Sequence, residues 1–372
     1  MKTTHLLTAG LVALLTTTTA RAQWNIGRVD TAGNVGETTS LRLDSAGRPH
    51  IGYFDVTHST LKYASYTGTG WSLSTVGAAS LGSISLALSS TDLPRLSYYN
   101  GGLKYAAYTG PGWTLSTVVN TNGTGANNSL ALDSTGLPRI SYEDRNDGYL
   151  KYAAYNGTSW ALSTVAREAD GYTNSLALDS AGLARISYAD SVNGDLNYAA
   201  YNGAAWTHST VDSGGANYSS LALDSAGLPR ISYYHAPSAG LKYAAYNGTT
   251  WTLTYVDTLR TGSVGRYSSL ALDRAGLPRI SYSDTENGDL KYAAYNGTTW
   301  TISTVDSVGS VGQYTSLALD SAGNPWISYY DSTNGILKVA TLAALAADVP
   351  EPSSTALLLG SGLLLFRRNR RG

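Results

Sequence analysis

The stretch Ser220-Leu221-Ala222-Leu223-Asp224-Ser225-Ala226-Gly227-Leu228-Pro229-Arg230-Ile231-Ser232-Tyr233-Tyr234, followed by Leu241-Lys242-Tyr243-Ala244-Ala245-Tyr246-Asn247-Gly248-Thr249-Thr250-Trp251-Thr252-Leu253-Thr254-Tyr255-Val256, decides the fold. It contains four short runs in which large apolar residues alternate with small or polar ones, the period of a strand and not of a helix. Turn chemistry separates them. Asp-Ser-Ala-Gly-Leu-Pro joins the first pair, and Tyr-Asn-Gly-Thr-Thr-Trp joins the last pair through a hairpin-favouring Asn-Gly. In the first run leucine lines one face while serine and alanine line the other. A large-residue face can therefore press on the small-residue face of a neighbouring copy, and neither face of the sheet is left to water.

Outward from this unit the chain repeats it. Ser-Leu-x-Leu begins at Ser40, Ser85, Ser129, Ser175, Ser220, Ser269 and Ser316, at spacings between 44 and 49 residues. A period of this size with four strands per copy fits propeller blades better than a linear solenoid, which needs distinct caps at its ends. Tryptophan heads the fourth strand at Trp24, Trp71, Trp113, Trp160, Trp206, Trp251 and Trp300. Trp24 precedes the first Ser-Leu block, and the last copy, Ser316 to Thr341, ends after three strands. The strand at 24–29 is thus free to complete the last copy and remove two open edges. The expected fold is all-β: a seven-bladed β-propeller of four-stranded blades, closed by the N-terminal strand and flanked by a signal peptide and a C-terminal sorting helix.

Composition agrees. The 372 residues are 42% hydrophobic and 14% charged, with 28 tyrosines, 40 glycines and two phenylalanines, a bias toward pleated surfaces and tight turns. Cysteine is absent, which excludes disulfides, thiolate metal sites and cysteine nucleophiles.

The two ends read as address labels. Lys2, the apolar run Leu6 to Leu15 and Ala20-Arg21-Ala22 form a signal peptide, with cleavage expected between Ala22 and Gln23. At the other end, Val349-Pro350-Glu351-Pro352 precedes an apolar stretch from Ala356 to Phe366 and the cluster Arg367, Arg368, Arg370 and Arg371. Proline keeps the motif extended, the apolar run enters lipid, and the arginines hold their end on the cytoplasmic side. This order resembles the PEP-CTERM sorting tail. The resemblance implies recognition and cleavage at Pro350, Glu351 and Pro352 by an exosortase-type membrane enzyme, after transient membrane association. The expected parts are a signal peptide at 1–22, the propeller at 23–342, a linker at 343–348 and the sorting tail at 349–372. Losing both ends removes six of 25 basic residues and one of 26 acidic ones, leaving a net charge of −6 that argues against nucleic acid as a partner.

The repeats are generally similar to those of secreted bacterial propellers, without a Trp-Asp, Kelch or Asp-box signature. The most regular charged feature starts the second strand: His50, Arg95, Arg139, Arg185, Arg230, Arg279 and Trp326. The five arginines are candidates to ring one rim and bind carboxylates or sulfates of an acidic glycan, since guanidinium is a fixed bidentate donor. Equally, the aspartate across each first hairpin, as in Asp133 or Asp224, is placed to cap the turn and pair with that arginine; in the second copy this place is Ser89, which leaves Arg95 unpaired. The acidic loops Asp190 to Asp195 and Asp284 to Asp289 invite calcium, but their spacing misses the twelve-residue calcium loop, and Asn-Gly explains them as turns. Recurrent tyrosines, such as Tyr152, Tyr198, Tyr243 and Tyr292, fit packing between blades, while His58, Arg145, His208, His235 and Arg266 depart from the repeat.

Catalysis needs unlike groups in one place, and near-identical blades supply like groups. The expectation is therefore a non-enzymatic envelope or matrix protein without metal or cofactor, exported by way of signal peptidase and displaying its propeller for adhesion or for glycan or protein contact, with an extracellular polysaccharide among the candidate partners. The alternatives are a multivalent lectin, with flat aromatics in several equal pockets, and a polysaccharide hydrolase or lyase with acids at the ring centre.

Overall fold

The computed structural model describes residues 23–167, 173–190, 192–258 and 262–343. Within them the chain forms seven antiparallel sheets of four strands each. The quoted stretch becomes Ala216–Leu223, Pro229–His235, Gly240–Tyr246 and Trp251–Asp257, a simple meander whose first strand lies innermost and whose fourth lies at the rim. The expected seven-bladed ring is what folds. Its closure is as expected too: Asn25–Asp30 pairs antiparallel with Ile336–Thr341, Ile26 lying opposite Ala340, and so supplies the outer strand of the last blade.

The repeated serine explains how blades are held around the axis. An innermost strand has one edge with no ladder partner, and its N–H groups need acceptors. In every blade the leucine of Ser-Leu-x-Leu donates its backbone N–H to the serine Oγ of the preceding blade. The seven donors are Leu41, Leu86, Leu130, Leu176, Leu221, Leu270 and Leu317, and all seven distances are 2.9–3.0 Å. The bond from Leu41 to Ser316 crosses from the last blade to the first and closes the ring.

Farther out, a fully buried serine on the second strand meets a polar residue of the next blade's inner strand. Ser187 reaches Ser219, Ser232 reaches Ser268, Ser281 reaches Thr315 and Ser328 reaches Thr39. Between the first two blades Gly52 stands at this place against Ile84 and Leu96, where a Cβ would come within 2.5 Å of the Leu96 side chain. Farther out still, a third-strand tyrosine packs edge-on against the next blade's tryptophan. Tyr152–Trp206, Tyr198–Trp251 and Tyr243–Trp300 have centroids 5.5–5.7 Å apart, and Tyr292 meets Trp24, so the latch strand is gripped by the same contact as the others.

Four interfaces carry a buried ion pair as well. An aspartate ending the outer strand of one blade accepts from a tyrosine and a lysine of the next: Asp30 from Tyr53 and Lys62, Asp212 from Tyr233 and Lys242, Asp257 from Tyr282 and Lys291, Asp306 from Tyr329 and Lys338. Among the described residues no helix is long and apolar enough to cross a membrane. The expected signal peptide and sorting tail, with Ala22, Pro350, Glu351, Pro352, Arg367, Arg368, Arg370 and Arg371, lie outside the described residues.

These triads set an acid limit on stability. Burial alone would raise the carboxyl pKa of Asp30, Asp212 and Asp306, but hydrogen bonds and charge from the lysine, with the tyrosine, outweigh it and hold all three below 3.8. A folded pKa below the unfolded one means stability is fully present above the unfolded value and is lost as pH falls through the folded one. The denaturation midpoint is expected to fall steeply below about pH 4, and Asp306→Asn to flatten that fall while lowering the midpoint at neutral pH. Equal acid sensitivity of wild type and variant would refute the assignment.

Candidate functional site

The inner strands converge on an axial cavity of about 810 Å³. Its mouth is set by the residue two places before each ring serine. In three adjacent blades this residue is tyrosine, Tyr218, Tyr267 and Tyr314, and in the others it is Thr38, Ser83, Asn127 or Thr173. The three tyrosines and Thr38 sit at strand irregularities with left-handed backbone, φ 53° to 55°. A bulge of this kind breaks the alternation of the pleat and re-aims a side chain, here toward the axis. For a non-glycine residue it costs about 1–2 kcal/mol. Strain of this kind is concentrated at functional sites.

The result is an arc. Tyr218 and Tyr267, and Tyr267 and Tyr314, have ring centroids 4.7 Å apart, and burial followed by the neighbouring hydroxyls raises the pKa of Tyr267. Arg266 lies over the ring of Tyr234 at 5.3 Å and donates Nε–H to Ser263 Oγ at 3.1 Å; Tyr234 in turn neighbours Tyr218. At the other end of the arc stands half-buried Glu37. Burial raises its carboxyl pKa, and its charge adds to burial in raising the hydroxyl pKa of Tyr314 and Tyr330. Across the ring, exposed Arg145 lines the mouth, donating Nε–H to buried Glu143 at 3.1 Å. The hydroxyls of Thr38 and Thr173 line the mouth and are buried without a partner among the described residues. The mouth is therefore aromatic on one side and polar on the other.

Deeper along the axis come the ring serines, and two residues beyond them a single cation. Six copies read Ser-Leu-Ala-Leu; the first reads Ser40-Leu41-Arg42-Leu43. The Arg42 side chain is exposed to the solvent of the cavity it lines, and desolvation by the surrounding cavity walls lowers its pKa from the usual arginine value. Its Nη1 donates to its neighbour's carbonyl, Leu41 O, at 2.7 Å. Across the strand pair stands His50, where five of the six sister blades have arginine and the last has Trp326, so in the first blade the positive charge has moved from the second strand to the axis.

The five arginines expected to ring a rim stand elsewhere, at the turn end of the blades. Arg139, Arg185, Arg230 and Arg279 each donate Nη2–H to the hairpin aspartate at 2.6–2.7 Å and Nη1–H to a tyrosine carbonyl on the third strand at 2.5–2.6 Å. Arg95, facing Ser89, bonds to the carbonyls of Tyr108 and Pro94. These guanidiniums tie the blades internally, and the candidate site moves from them to the mouth. The acidic loops are turns: Asp190 accepts the N–H groups of Val192 and Asn193, and Asp284 those of Glu286 and Asn287. The histidines singled out by sequence have separate local partners, His58 with Asp55, His208 with Tyr188 and His235 with Ser238. Sequence reading missed Arg42, Glu37 and the tyrosine arc. The signals were the lone Ser-Leu-Arg-Leu and a tyrosine two residues before the ring serine in three consecutive copies.

No family model matches the chain, and no curated protein matches it. Solved structures do. A polysaccharide lyase of family 25, an ulvan lyase, superposes with TM-score 0.61 at 14% identity, over 84% of this chain and 95% of its own. The same lyase bound to a -[GlcA(1-4)Rha3S]- saccharide gives 0.59 at 14% identity, over 83% and 94%. A protein of unknown function from Dyadobacter fermentans gives 0.53 at 10% identity, over 85% and 97%. At such identity the likeness is one of fold. It nevertheless corrects the non-enzymatic expectation: the fold carries catalysis in the ulvan lyase, so repetition of blades is no argument against an enzyme. The mouth supplies the unlike groups that the repeats lack.

Proposed function

We propose that this chain is an exported polysaccharide-binding propeller that takes an acidic glycan at the axial mouth. The observation that carries this reading is the make-up of the cavity: three contiguous tyrosines on one side, small polar residues on the other, and, among the described residues, Arg42 and Arg145 as its only charged lining. Flat aromatic faces with polar tips suit sugar rings, and the positive charge of Arg42, which has no carboxylate partner among the described residues, selects acidic ones, whereas Arg145 is paired with Glu143. The fold shared with a lyase seen bound to a GlcA-containing saccharide supports the same substrate class. The site is single and axial, not repeated from blade to blade.

A second reading is that the bound chain is also cleaved. Glu37 favours it: a half-buried carboxyl at the end of the arc, its pKa raised by burial, is suited to exchange a proton with substrate. Delivery belongs to the same proposal. Signal peptidase would cut at Ala22-Gln23, and an exosortase-type enzyme at Pro350-Glu351-Pro352, to place the propeller at the cell envelope or in the matrix. Sequence alone supports this part.

Three measurements follow. Calorimetric titration with uronate-rich or sulfated oligosaccharides is expected to give one site per chain, weakened about thirtyfold by Tyr267→Ala; seven equivalent sites, or no effect of the variant, would overturn the axial reading. Where new chain ends appear on incubation with such a polysaccharide, Glu37→Gln is expected to abolish them and leave binding intact; cleavage unchanged in the variant removes Glu37 from the chemistry. Mass spectrometry of the exported protein is expected to find Gln23 at the N-terminus and no Arg370 or Arg371.

A further inference from the structure

We propose that the axial cavity holds an oxyanion, a sulfate, phosphate or carboxylate group, between Arg42 and the ring of seven serine hydroxyls. This goes beyond the polysaccharide reading, because it uses none of the mouth tyrosines.

The serines carry half of the argument. Ser40, Ser85, Ser129, Ser175, Ser220, Ser269 and Ser316 all line the cavity. Each oxygen already accepts a leucine N–H from the next blade. A hydroxyl has one proton to give, and among the described residues none of these seven donates to a protein acceptor. Accepting a bond on the oxygen leaves each hydroxyl to act as a donor, so the ring presents donors to the axis.

Arg42 carries the other half. It has five N–H donors, and among the described residues its side chain makes one hydrogen bond, to Leu41 O. Among the described residues it has no carboxylate within ion-pair distance, whereas Arg139, Arg185, Arg230 and Arg279 each have one. Among the described residues no aspartate or glutamate lines the cavity. The fold does not need a cation here, since six blades close with alanine at this place. Arg42 is exposed to solvent, but that solvent lies in a cavity walled by the blades, where a fixed positive charge is screened less than on the open surface, and a planar guanidinium matches the geometry of an oxyanion.

The anion has two possible sources. It is either a free ion or a charged substituent of a glycan seated at the mouth. Arg42 lies four residues along the strand from the tyrosine level, about 13 Å at strand rise, within reach of a branch or chain end.

Calorimetric titration of the chain with sodium sulfate and sodium phosphate, against sodium chloride at matched ionic strength, tests the site. Wild type is expected to show one saturable site. Arg42→Ala, which restores the residue of the sister blades, is expected to weaken it at least tenfold, about what the loss of a charged hydrogen-bonding partner produces. Non-saturable heats, or equal affinity in the variant, would overturn the proposal. Selenate soaked into crystals gives an independent readout: an anomalous peak beside Arg42 supports the site, and none at saturating selenate refutes it. A sulfated oligosaccharide and its desulfated form distinguish the sources. If Arg42→Ala weakens only the sulfated form, the glycan supplies the anion; if it affects neither while inorganic sulfate binding falls, the anion is free. Tyr267→Ala is expected to leave inorganic sulfate binding unchanged, so failure of the glycan reading and failure of the anion site give different results.

Discussion

The hydrogen bond from a leucine N–H to the serine oxygen of the preceding blade is the contact on which the rest of this structure depends. An inner propeller strand turns an unpaired edge toward the axis, and an edge of that kind is either solvated, covered or open to another chain. Here it is covered by a side chain that belongs to the neighbouring blade, seven times over, at nearly constant length. The bond does two things at once: it satisfies a backbone donor and it sets the slip of one blade against the next. Since it recurs across the junction of the last and first blades, the ring is closed at the axis by side chains as well as at the rim by the latch strand.

Outside that inner ring the interfaces are not equal. The Lys–Asp–Tyr triads join the fourth blade to the fifth, the fifth to the sixth, the sixth to the seventh and the seventh to the first. A buried pair of this sort adds little net stability over apolar packing, but removing one partner is costly, so it fixes geometry more than it raises stability. The tyrosines held in left-handed backbone lie in the fifth, sixth and seventh blades, the same half of the ring. Backbone strain persists only where surrounding contacts over-determine it. The half that bears the strained aromatic arc is the half whose interfaces are tied twice.

This division explains what the sequence disclosed. The period, the strand count, the latch and the Tyr–Trp contacts were legible because each is set by a residue present in nearly every copy, and repetition is what packing between like units demands. The candidate site was legible only in part. Arg95, Arg139, Arg185, Arg230 and Arg279 drew attention by their regularity, which is the mark of a residue tied within its own blade. Arg145 and Arg266 were picked out as departures and do stand at or beside the mouth. The tyrosine arc escaped because period-two alternation assigns each residue to one face of a sheet, and a bulge in left-handed backbone breaks that assignment at the very positions that matter. Arg42 needed only a comparison of the seven Ser-Leu-x-Leu blocks, six with alanine and one with arginine.

The axis is where one substitution has the widest effect. A changed residue on the circumference faces one or two neighbours, whereas a side chain on an inner strand enters a cavity walled by all seven blades. Symmetry makes that cavity electrically bland: the repeated serines contribute no net charge and Arg145 at the mouth is offset by Glu143, so the guanidinium of Arg42 sets the sign of the field within it. The surrounding domain, stripped of its two ends, is acidic, so an anion drawn to the axis is selected against the charge of the molecule as a whole and by the local groups alone. Repetition thus builds a rigid and neutral frame, and the few residues that break it, Arg42, Glu37 and the three tyrosines, inherit a precise setting that no single blade could give them.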